Sequence, residues 1–539
     1  MKKIIKRAIA FVLSTVMLLG LCACQQNGDV SGEQVLEVYI WDAGYGTSWL
    51  SASLEAFSEL DWVKEKYPNL KTKLVSNDQS GYASGRITAG DANTIDLFFA
   101  SDLDGTYSYC LNLADVLFGS EVPGEDVLYK DKMHSYWLES CEQTDSVGKP
   151  TGEYYHTLSQ VGLVSYIYNQ TLFDELGLTV PRTTEEMVEL CQTVKDMGGT
   201  NPAYPYTHSI ISSKIAYSDR LTEVWWAQYD ALQGYRNYWN AIAPDGTRNS
   251  VDIFEEQGRL EAIKVFESLY REEQGYYDRT STNYEFIQGQ TRLLIGEGLM
   301  MACGEWFSTE MRDLAVEYQK RGYDYDIRMM RLPVVSSIID KTPTITDETM
   351  LRQVISDIDA GQTEPSNSSV SAEDFATVRA ARGVFSARDA SNAHAVIPSY
   401  AEGKDVAVDF LRFMATDEAC AIVAEETYGG VSAFEFDLQT AAPDVHQMLE
   451  AEYGQTYAVL LDVADFLNTD FAQAVTNGSS PLVQYGGFTA WDTKYDQLEL
   501  IFMSNPNITA EQIVEEHDSY WLDNNAKAFQ NALSRAGLS

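Results

Sequence analysis

The chain has 539 residues and a formal net charge of −42, with 45% hydrophobic and 12% aromatic residues. This acidity argues against nucleic acid or an anionic membrane surface as a partner, because both carry the same charge sign. The hydrophobic content is high enough for large cores and argues against a disordered chain, while the length predicts two or more domains or lobes.

The N-terminus has the pattern of a lipoprotein signal peptide. Four basic residues within the first seven precede an apolar run from Ala8 to Leu21, which is shorter than the about 20 residues that span a bilayer. The run ends in LCAC, which resembles the bacterial lipobox. Cys24 is the predicted lipidation site, because Cys22 would have Leu21 where the lipobox needs a small residue. A cleaved secretory signal with incidental cysteines is the alternative.

The segment after the signal predicts how the protein is held at the membrane. Two acyl chains on Cys24 would anchor it stably to the extracytoplasmic face of the cell membrane, and the polar residues 25–34 predict a flexible tether. Removing the signal peptide 1–23 removes four positive charges and lowers the net charge from −42 to −46.

The mature chain alternates between strand and helix patterns, which predicts an α/β fold with parallel pairing in its first lobe. The predicted strands are Leu36–Trp41, Leu70–Val75, Ile95–Ala100, Val161–Tyr168, Arg292–Met301, Tyr325–Leu332 and Ala393–Pro398. The predicted helices are Ser48–Tyr67, Gly81–Gly90, Gln170–Leu176, one capped by Thr183 or Thr184, Leu260–Arg271, Glu348–Ala360, Asp405–Met414 and Ile508–Leu522. Residues 335–375 are rich in Ser, Thr, Asp and Pro and predict a surface insertion.

Six weak motifs follow one another in the order found in one protein family. They are DLFFASD (96–102), LVSYIYNQTLFDELGL (163–178), Pro181 with TTEEM, GQTRLLIGEGLMMACGEW (289–306), MMRLP (329–333) and the stretch 393–419. Together they resemble the family 1 extracellular solute-binding proteins, the group that contains maltose-binding protein. Two positions depart from the family pattern, since Gln170 replaces the usual Lys and Thr184 the usual Trp.

The resemblance implies a two-lobed periplasmic-binding-protein-like fold, with hinge segments and a ligand cleft between α/β lobes that close by hinge bending. It places lobe 1 at 35–158 with a return at 390–430, and lobe 2 at 159–389 with the insertion. A helical segment, 431–539, would complete lobe 2 and the cleft. The chain would cross between lobes near 154–163 and 383–397. The implied protein is a monomer that captures a small molecule, an oligosaccharide, for the permease subunits of an ABC importer.

The sequence offers no catalytic signature. It contains no His-Glu-x-x-His, no Gly-x-Ser-x-Gly, no Walker loop and no dinucleotide-binding glycine pattern, and its six histidines are scattered. The calcium-like run from Asp102 to Gly105 lacks the twelfth-position carboxylate, and nothing singles out a carboxylate pair for glycoside hydrolysis among 80 acidic residues. We therefore expect neither an enzyme, nor a cofactor, nor a metal site.

A sugar site needs flat apolar faces for the rings and planar polar groups for the hydroxyls. In α/β sheets such sites lie at the carboxyl ends of the strands, and three predicted strands of lobe 1 are followed by suitable residues. The predicted ligand-binding residues of lobe 1 are Trp41, Asp42, Tyr45, Asn77, Asp78, Ser101, Asp102 and Tyr107. For each of them, a role as a helix cap or turn residue is the alternative.

The family resemblance implies a second set of ligand-binding residues from lobe 2 and the crossings: Gln160, Trp225, Trp226, Trp306 and Trp491. Adjacent tryptophans on a helix point about 100° apart, so only one of Trp225 and Trp226 is expected to face the cleft. Trp306 and Trp491 both lie in glycine-containing stretches that leave room for an indole, with a packed core tryptophan as the alternative.

Two further points stay open at this stage. The remaining cysteines, at 110, 141, 191, 303 and 420, are odd in number and widely spaced, so they predict buried small hydrophobic residues and no disulfide framework. The alternative functions are capture of a peptide or other polar solute, a surface glycan-binding lipoprotein without a transporter, and a degenerate hydrolase.

Overall fold

A computed structural model describes residues 34–42, 45–79, 81–100, 103, 105–145, 149–160, 162–214, 217–388, 394–475, 480–484, 486–488, 498–522 and 526–539. The predicted signal peptide, the lipidation site Cys24, tether residues 25–33, and the ligand-site residues Ser101, Asp102 and Trp491 lie outside these described residues. The last residue of the predicted tether, Gln34, instead begins the first strand. In the described part the chain forms two α/β lobes, each with its own sheet, which confirms the predicted fold class.

The strands are β1 (Gln34–Trp41), β2 (Leu70–Asn77), β3 (Leu97–Phe99), β4 (Glu142–Thr144), β5 (Pro150–Tyr154), β6 (Thr157–Leu158), β7 (Gly162–Asn169), β8 (Ile210–Ile211), β9 (Met300–Gly304), β10 (Ile327–Met330), β11 (Val384–Arg388), β12 (His394–Val396) and β13 (Gln473–Val475).

The helices before the insertion are α1 (Ser48–Glu59), α2 (Asp61–Lys66), α3 (Tyr82–Ile87), α4 (Tyr129–Lys132), α5 (Ser135–Cys141), α6 (Gln170–Leu176), α7 (Thr184–Asp196), α8 (Ser218–Trp239), α9 (Gln257–Tyr270), α10 (Phe286–Leu294) and α11 (Phe307–Lys320). The later helices are α12 (Glu348–Asp359), α13 (Ala372–Gly383), α14 (Lys404–Met414), α15 (Asp417–Thr427), α16 (Leu438–Ala441), α17 (Pro443–Leu467), α18 (Pro481–Gln484), α19 (Leu498–Ser504), α20 (Ala510–Leu522) and α21 (Ala526–Arg535).

Lobe 1 is built on the five-stranded sheet β2-β1-β3-β12-β6. Strand β1 pairs in parallel with β2 and with β3, so the carboxyl ends of these three strands lie at one edge. The apolar side chains Leu50, Leu54 and Phe57 of α1 recur at helical spacing and are buried against this sheet. The predicted single helix 48–67 is interrupted at Leu60, whose extended backbone (φ −63°, ψ 135°) separates α1 from α2.

Lobe 2 is built on the six strands β13, β11, β7, β9, β8 and β10. Strand β7 is buried along its whole length, as its near-continuous apolar sequence predicts. It pairs antiparallel with β9 on one side. On the other side, β10 pairs with the second half of β7 and β11 with the first half.

The predicted strand at 292–301 is wrong in its first half. Helix α10 ends at Leu294, and only Met300–Gly304 is extended. The helix begins with a capping box, in which the side chains of Glu285 and Gln288 each accept a hydrogen bond from the backbone amide of the other residue. This start lies upstream of the predicted strand, so the apolar pair Leu293-Leu294 belongs to the buried face of a helix.

The insertion belongs to lobe 2. Helix α12 buries Leu351, Ile355 and Ile358 in the same core cluster as β7 and β9, so this stretch is part of a folded lobe. All five cysteines outside the signal region are free and buried, which confirms their predicted role as small hydrophobic residues. Among the helices of the described residues, none combines the length and the apolar character needed to cross a bilayer.

Candidate functional site between the lobes

The carboxyl edge of the lobe 1 sheet brings together residues from the ends of β1 and β2. Trp41 is the register partner of Asn77 across the two strands, and the amide of Asp42 donates a hydrogen bond to the carbonyl of Asn77 at 3.1 Å. Trp41 and Asn77 are half-buried, whereas Asp42 and Asp78 are exposed. The structure therefore gathers four of the sequence-predicted residues at one edge.

The side chain of Asn77 also has a structural role. Its Oδ1 accepts a hydrogen bond from the amide of Gln79 at 2.5 Å, which is the geometry of an Asx turn. The side-chain oxygen of Asn77 therefore has the role of a turn residue, which was the alternative to ligand binding. The amide nitrogen is the group that Asn77 can offer to a ligand.

On the lobe 2 side, one edge of the sheet carries Gln160, Glu305 and Trp306. Strands β7 and β9 run antiparallel with Val164 opposite Gly304, so the start of β7 and the end of β9 lie side by side. Trp306 is half-buried, with its ring 5.7 Å from that of Tyr217. A Cβ on Gly304 would lie 2.3 Å from the indole. Only glycine at this position lets the tryptophan fold back over the strand end.

Gln160 lies in the crossing between the lobes, just before β7. Its backbone forms a bridge with Ser432, its side chain is fully buried, and neither Oε1 nor Nε2 has a hydrogen-bond partner among the described residues. Leaving a buried polar group unpaired costs about 1–3 kcal/mol. A bound ligand or an ordered water is the natural partner for this amide.

The predicted ligand residue Tyr45 instead joins the two lobes. It is 3% exposed, and its hydroxyl donates a 2.7 Å hydrogen bond to Oε1 of Glu305. Oε2 of Glu305 accepts a hydrogen bond from the amide of Leu163 at 2.5 Å. Burial raises the pKa of Glu305 to about 7. The sequence analysis named Trp306 and missed its neighbour Glu305. Nothing in the local sequence indicates that an acidic residue will be buried between two lobes.

Trp225 and Trp226 are core residues of lobe 2 in this structure. Both are 0% exposed, and both indole nitrogens have internal acceptors, the carbonyl of Pro333 at 3.0 Å and Oδ2 of Asp230 at 3.0 Å. Neither ring has a face available to a ligand. The expectation that one of the pair faces the cleft is corrected here, because α8 is packed on both of these sides.

Tyr107 is also mostly buried. It lies in the helical turn Tyr107–Tyr109, is 5% exposed, and has its ring 5.3 Å from that of His156. The ring of His156 is in turn 4.7 Å from that of His394. Burial lowers the pKa of His156 well below its ordinary value, and His394 adds to this effect. These contacts pack the turn Tyr107–Tyr109 onto lobe 1.

A groove of about 340 Å³ lies between the lobes, within the size range of small-molecule sites. It is lined by Ser135, Tyr136 and Glu139 of α5, by Leu232, Gln233 and Arg236 of α8, and by Ala472 and Gln473 at β13. Arg236 donates a 2.6 Å hydrogen bond to Glu139 across it. None of the sequence-predicted site residues lines this groove, and it shares no residue with the edges that carry Trp41 and Trp306.

Within the described part of the chain, no cluster of three or more His, Cys, Asp or Glu side chains has the arrangement of a metal site. The calcium-like run of the sequence includes Asp102 and Asp104, which lie outside the described residues.

Comparison with known proteins identifies the fold. No protein-family model and no curated protein matches the sequence. Among solved structures, the chain is similar to apo RafE from Streptococcus pneumoniae, with a TM-score of 0.56, 14% identity, and coverage of 92% of this chain and 99% of that one.

Two further structures share the fold. One is a chitin oligosaccharide binding protein, with a TM-score of 0.55, 14% identity and coverage of 92% and 100%. The other is a family 1 extracellular solute-binding protein from Bifidobacterium longum subsp. infantis, with a TM-score of 0.52, 13% identity and coverage of 92% and 100%. The resemblance predicted from the motifs is confirmed at the level of the fold.

Proposed function

We propose that this protein is an extracytoplasmic solute-binding lipoprotein that captures an oligosaccharide and delivers it to the permease of an ABC importer. Solved structures with the same fold, full-length coverage and oligosaccharide-binding names support the ligand class. The role is binding without catalysis. The ligand would lie between the carboxyl edge of the lobe 1 sheet and the edge of lobe 2 that carries Gln160 and Trp306.

The observation that carries this proposal is the unpartnered amide of Gln160. It lies at a crossing between the lobes, both of its polar atoms lack partners among the described residues, and separation of the lobes would make them accessible to a ligand. An amide can donate to one sugar hydroxyl and accept from another, while the half-buried indole of Trp306 supplies an apolar face for the ring.

Calorimetric titration with a panel of neutral oligosaccharides tests the proposal. We expect binding by the wild-type protein, unchanged oligosaccharide after the titration, and weaker binding by Gln160→Ala. Because a buried hydrogen-bonding group contributes about 1–3 kcal/mol, the loss should be about 5-fold to 150-fold. Glu55→Ala, at an exposed position of α1, is the control. Binding of peptides alone would contradict the assignment.

The membrane anchor is a separate part of the proposal. We expect Cys24→Ser to abolish incorporation of radioactive palmitate and to release the protein from membranes, because both acyl chains would be lost. Cys22→Ser should leave labelling unchanged. Labelling that disappears only when Cys22 is replaced would mean that the lipobox register is wrong.

A further inference from the structure

The segment from Glu305 to Arg312, which includes Trp306 and the start of α11, contacts lobe 1 at three points. Tyr45 donates to Glu305 at 2.7 Å, and Thr309 Oγ1 donates to the carbonyl of Thr427 at 2.9 Å. The guanidinium of Arg312 lies 3.5 Å from the ring centre of Tyr428. Thr427 and Tyr428 end α15 of lobe 1. We call these three contacts the interlobe seam.

Glu305 is the central residue of the seam. One carboxylate oxygen contacts Tyr45 of lobe 1 and the other accepts from the amide of Leu163, while the backbone amide of Glu305 donates to the carbonyl of Leu163 at 3.2 Å. The side chain of Glu305 thus links Tyr45 of lobe 1 to the start of β7, next to Trp306.

We propose that Glu305 is a positioning residue of the ligand site, which holds lobe 1 against the strand edge carrying Trp306 and loosens that contact when it ionises. The part that concerns ligand affinity rests on the proposed function. The part that concerns the lobes applies to the protein without ligand. Glu305 would act through Tyr45 and Trp306, without touching the ligand itself.

The surroundings of Glu305 favour its neutral form. The titratable groups that face it are Tyr45 from lobe 1, Cys303 on β9 and Glu310 on α11. Burial raises the pKa of Glu305 from an ordinary value near 4.5 to about 7, the hydrogen bonds from Tyr45 and Leu163 lower it, and the charge of Glu310 adds to the rise.

The linkage between ionisation and the seam has a definite sign. Opening the seam would expose Glu305 to water and return its pKa toward the ordinary value, so the intact seam is the state with the higher pKa. A state with a raised carboxyl pKa is favoured at low pH and loses that advantage as pH rises through the raised value. The seam should therefore be strongest near pH 5 and weakest above pH 7.

The test measures the distance between the lobes without ligand. Spin labels are attached to Glu65→Cys in lobe 1 and Lys320→Cys in lobe 2, both exposed positions, in the full chain with Cys22→Ser and Cys24→Ser. The five remaining cysteines are buried and should not react. We expect a distance distribution that widens between pH 5 and pH 8.

Two variants and one control assign the effect to Glu305. Glu305→Gln mimics the neutral acid and should show the pH 5 distribution at every pH. Tyr45→Phe should move the midpoint to higher pH, because the hydrogen bond that lowers the pKa is lost. Glu310→Gln should keep the pH dependence. A wild-type distance that does not change with pH, or a pH dependence that persists in Glu305→Gln, overturns the proposal.

Ligand affinity provides the second measurement. In the wild type, affinity for a bound oligosaccharide should fall about tenfold between pH 5 and pH 8, and in Glu305→Gln it should be constant. Absence of any oligosaccharide binding would count against the proposed function alone, because the distance measurement still decides the role of Glu305. A flat affinity profile in a wild-type protein that binds would contradict the positioning role.

Discussion

The tryptophans of lobe 2 differ in how much of their side-chain surface is buried. Trp225 is fully buried and hydrogen-bonded to Pro333, whereas Trp306 is half-buried over Gly304 at the edge that faces lobe 1. Side-chain burial determines what truncation costs, because a buried ring leaves a cavity and a partly exposed ring does not. The two residues therefore form a matched pair for separating stability from binding.

We expect Trp306→Ala to weaken oligosaccharide binding by about 1–3 kcal/mol, the size of an interfacial aromatic contact, with a small change in stability. Trp225→Ala should instead cost about 3–5 kcal/mol of the free energy of unfolding. Calorimetry and chemical denaturation of both variants measure these quantities. Unchanged affinity in a well-folded Trp306→Ala protein would remove this residue from the site.

Buried carboxyl groups should make the unliganded protein less stable as pH rises. Burial raises the pKa of Glu223 to about 8, with Asp219 adding to the effect, and it raises that of Glu310 to about 7. Each group binds a proton more tightly in the folded state than in the unfolded state. Their stabilising contribution is therefore complete below about pH 4.5 and is lost as pH rises toward 8.

Substitution of Glu223 tests this pH dependence. We expect the stability of the wild type to fall between pH 5 and pH 8. Glu223→Gln should reduce that fall by about 3 kcal/mol, since one unit of pKa corresponds to about 1.4 kcal/mol. Glu373→Gln, at an exposed position, is the control. Denaturation curves at four pH values measure the effect, and an identical slope in Glu223→Gln would contradict it.

At the scale of the elements, periodicity predicted helix and strand type well where local signals agree. Helix α6 has the predicted bounds, and Thr183 caps α7 through its side chain as expected. The interruption at Leu60 was missed because the helical apolar spacing continues across it. Helix α10 was missed because an apolar run of few residues is compatible with helix and strand alike. Tertiary packing decided between them.

The candidate site was predictable only in part, for a related reason. Strand ends at one sheet edge follow from parallel pairing, so the sequence predicted that Trp41, Asp42, Asn77 and Asp78 lie together. Their role in ligand binding stays a prediction. The burial of Trp225 and the hydrogen bond between Tyr45 and Glu305 depend on residues far away in the chain. A local sequence pattern cannot predict such contacts.

The insertion offers a test at the level of one element. Ile355 of α12 is fully buried in the core of lobe 2, so we expect Ile355→Ala to cost about 2–5 kcal/mol of the free energy of unfolding. Ligand affinity should not change in the folded variant, since α12 packs mainly against α13 and the helical turn Ser336–Lys341, which carry none of the candidate ligand residues. Glu364→Ala, exposed in the same insertion, is the control. An unchanged denaturation midpoint for Ile355→Ala would show that the insertion is dispensable.

At the scale of the whole molecule, the lobes should move together when ligand binds. Contacts made with both lobes favour the closed arrangement over the open one. We expect X-ray scattering to show a smaller radius of gyration with saturating oligosaccharide. The melting temperature should rise as well, because ligand at 100 times Kd adds about 2.7 kcal/mol of stability. Superimposable scattering curves would contradict binding between the lobes.

The net charge of the molecule distinguishes a neutral ligand from a cationic one. The chain carries a formal charge of −42, and such a field attracts cations over a distance that shrinks with salt, to about 10 Å at 0.1 M. The proposed stacking on Trp306 and hydrogen bonds to Gln160 would involve no net charge on the ligand. We therefore expect the affinity for a neutral oligosaccharide to change less than about twofold between 50 mM and 500 mM salt. Calorimetry at the two salt concentrations measures it, and a steep loss of affinity would indicate a basic peptide or polyamine as the ligand.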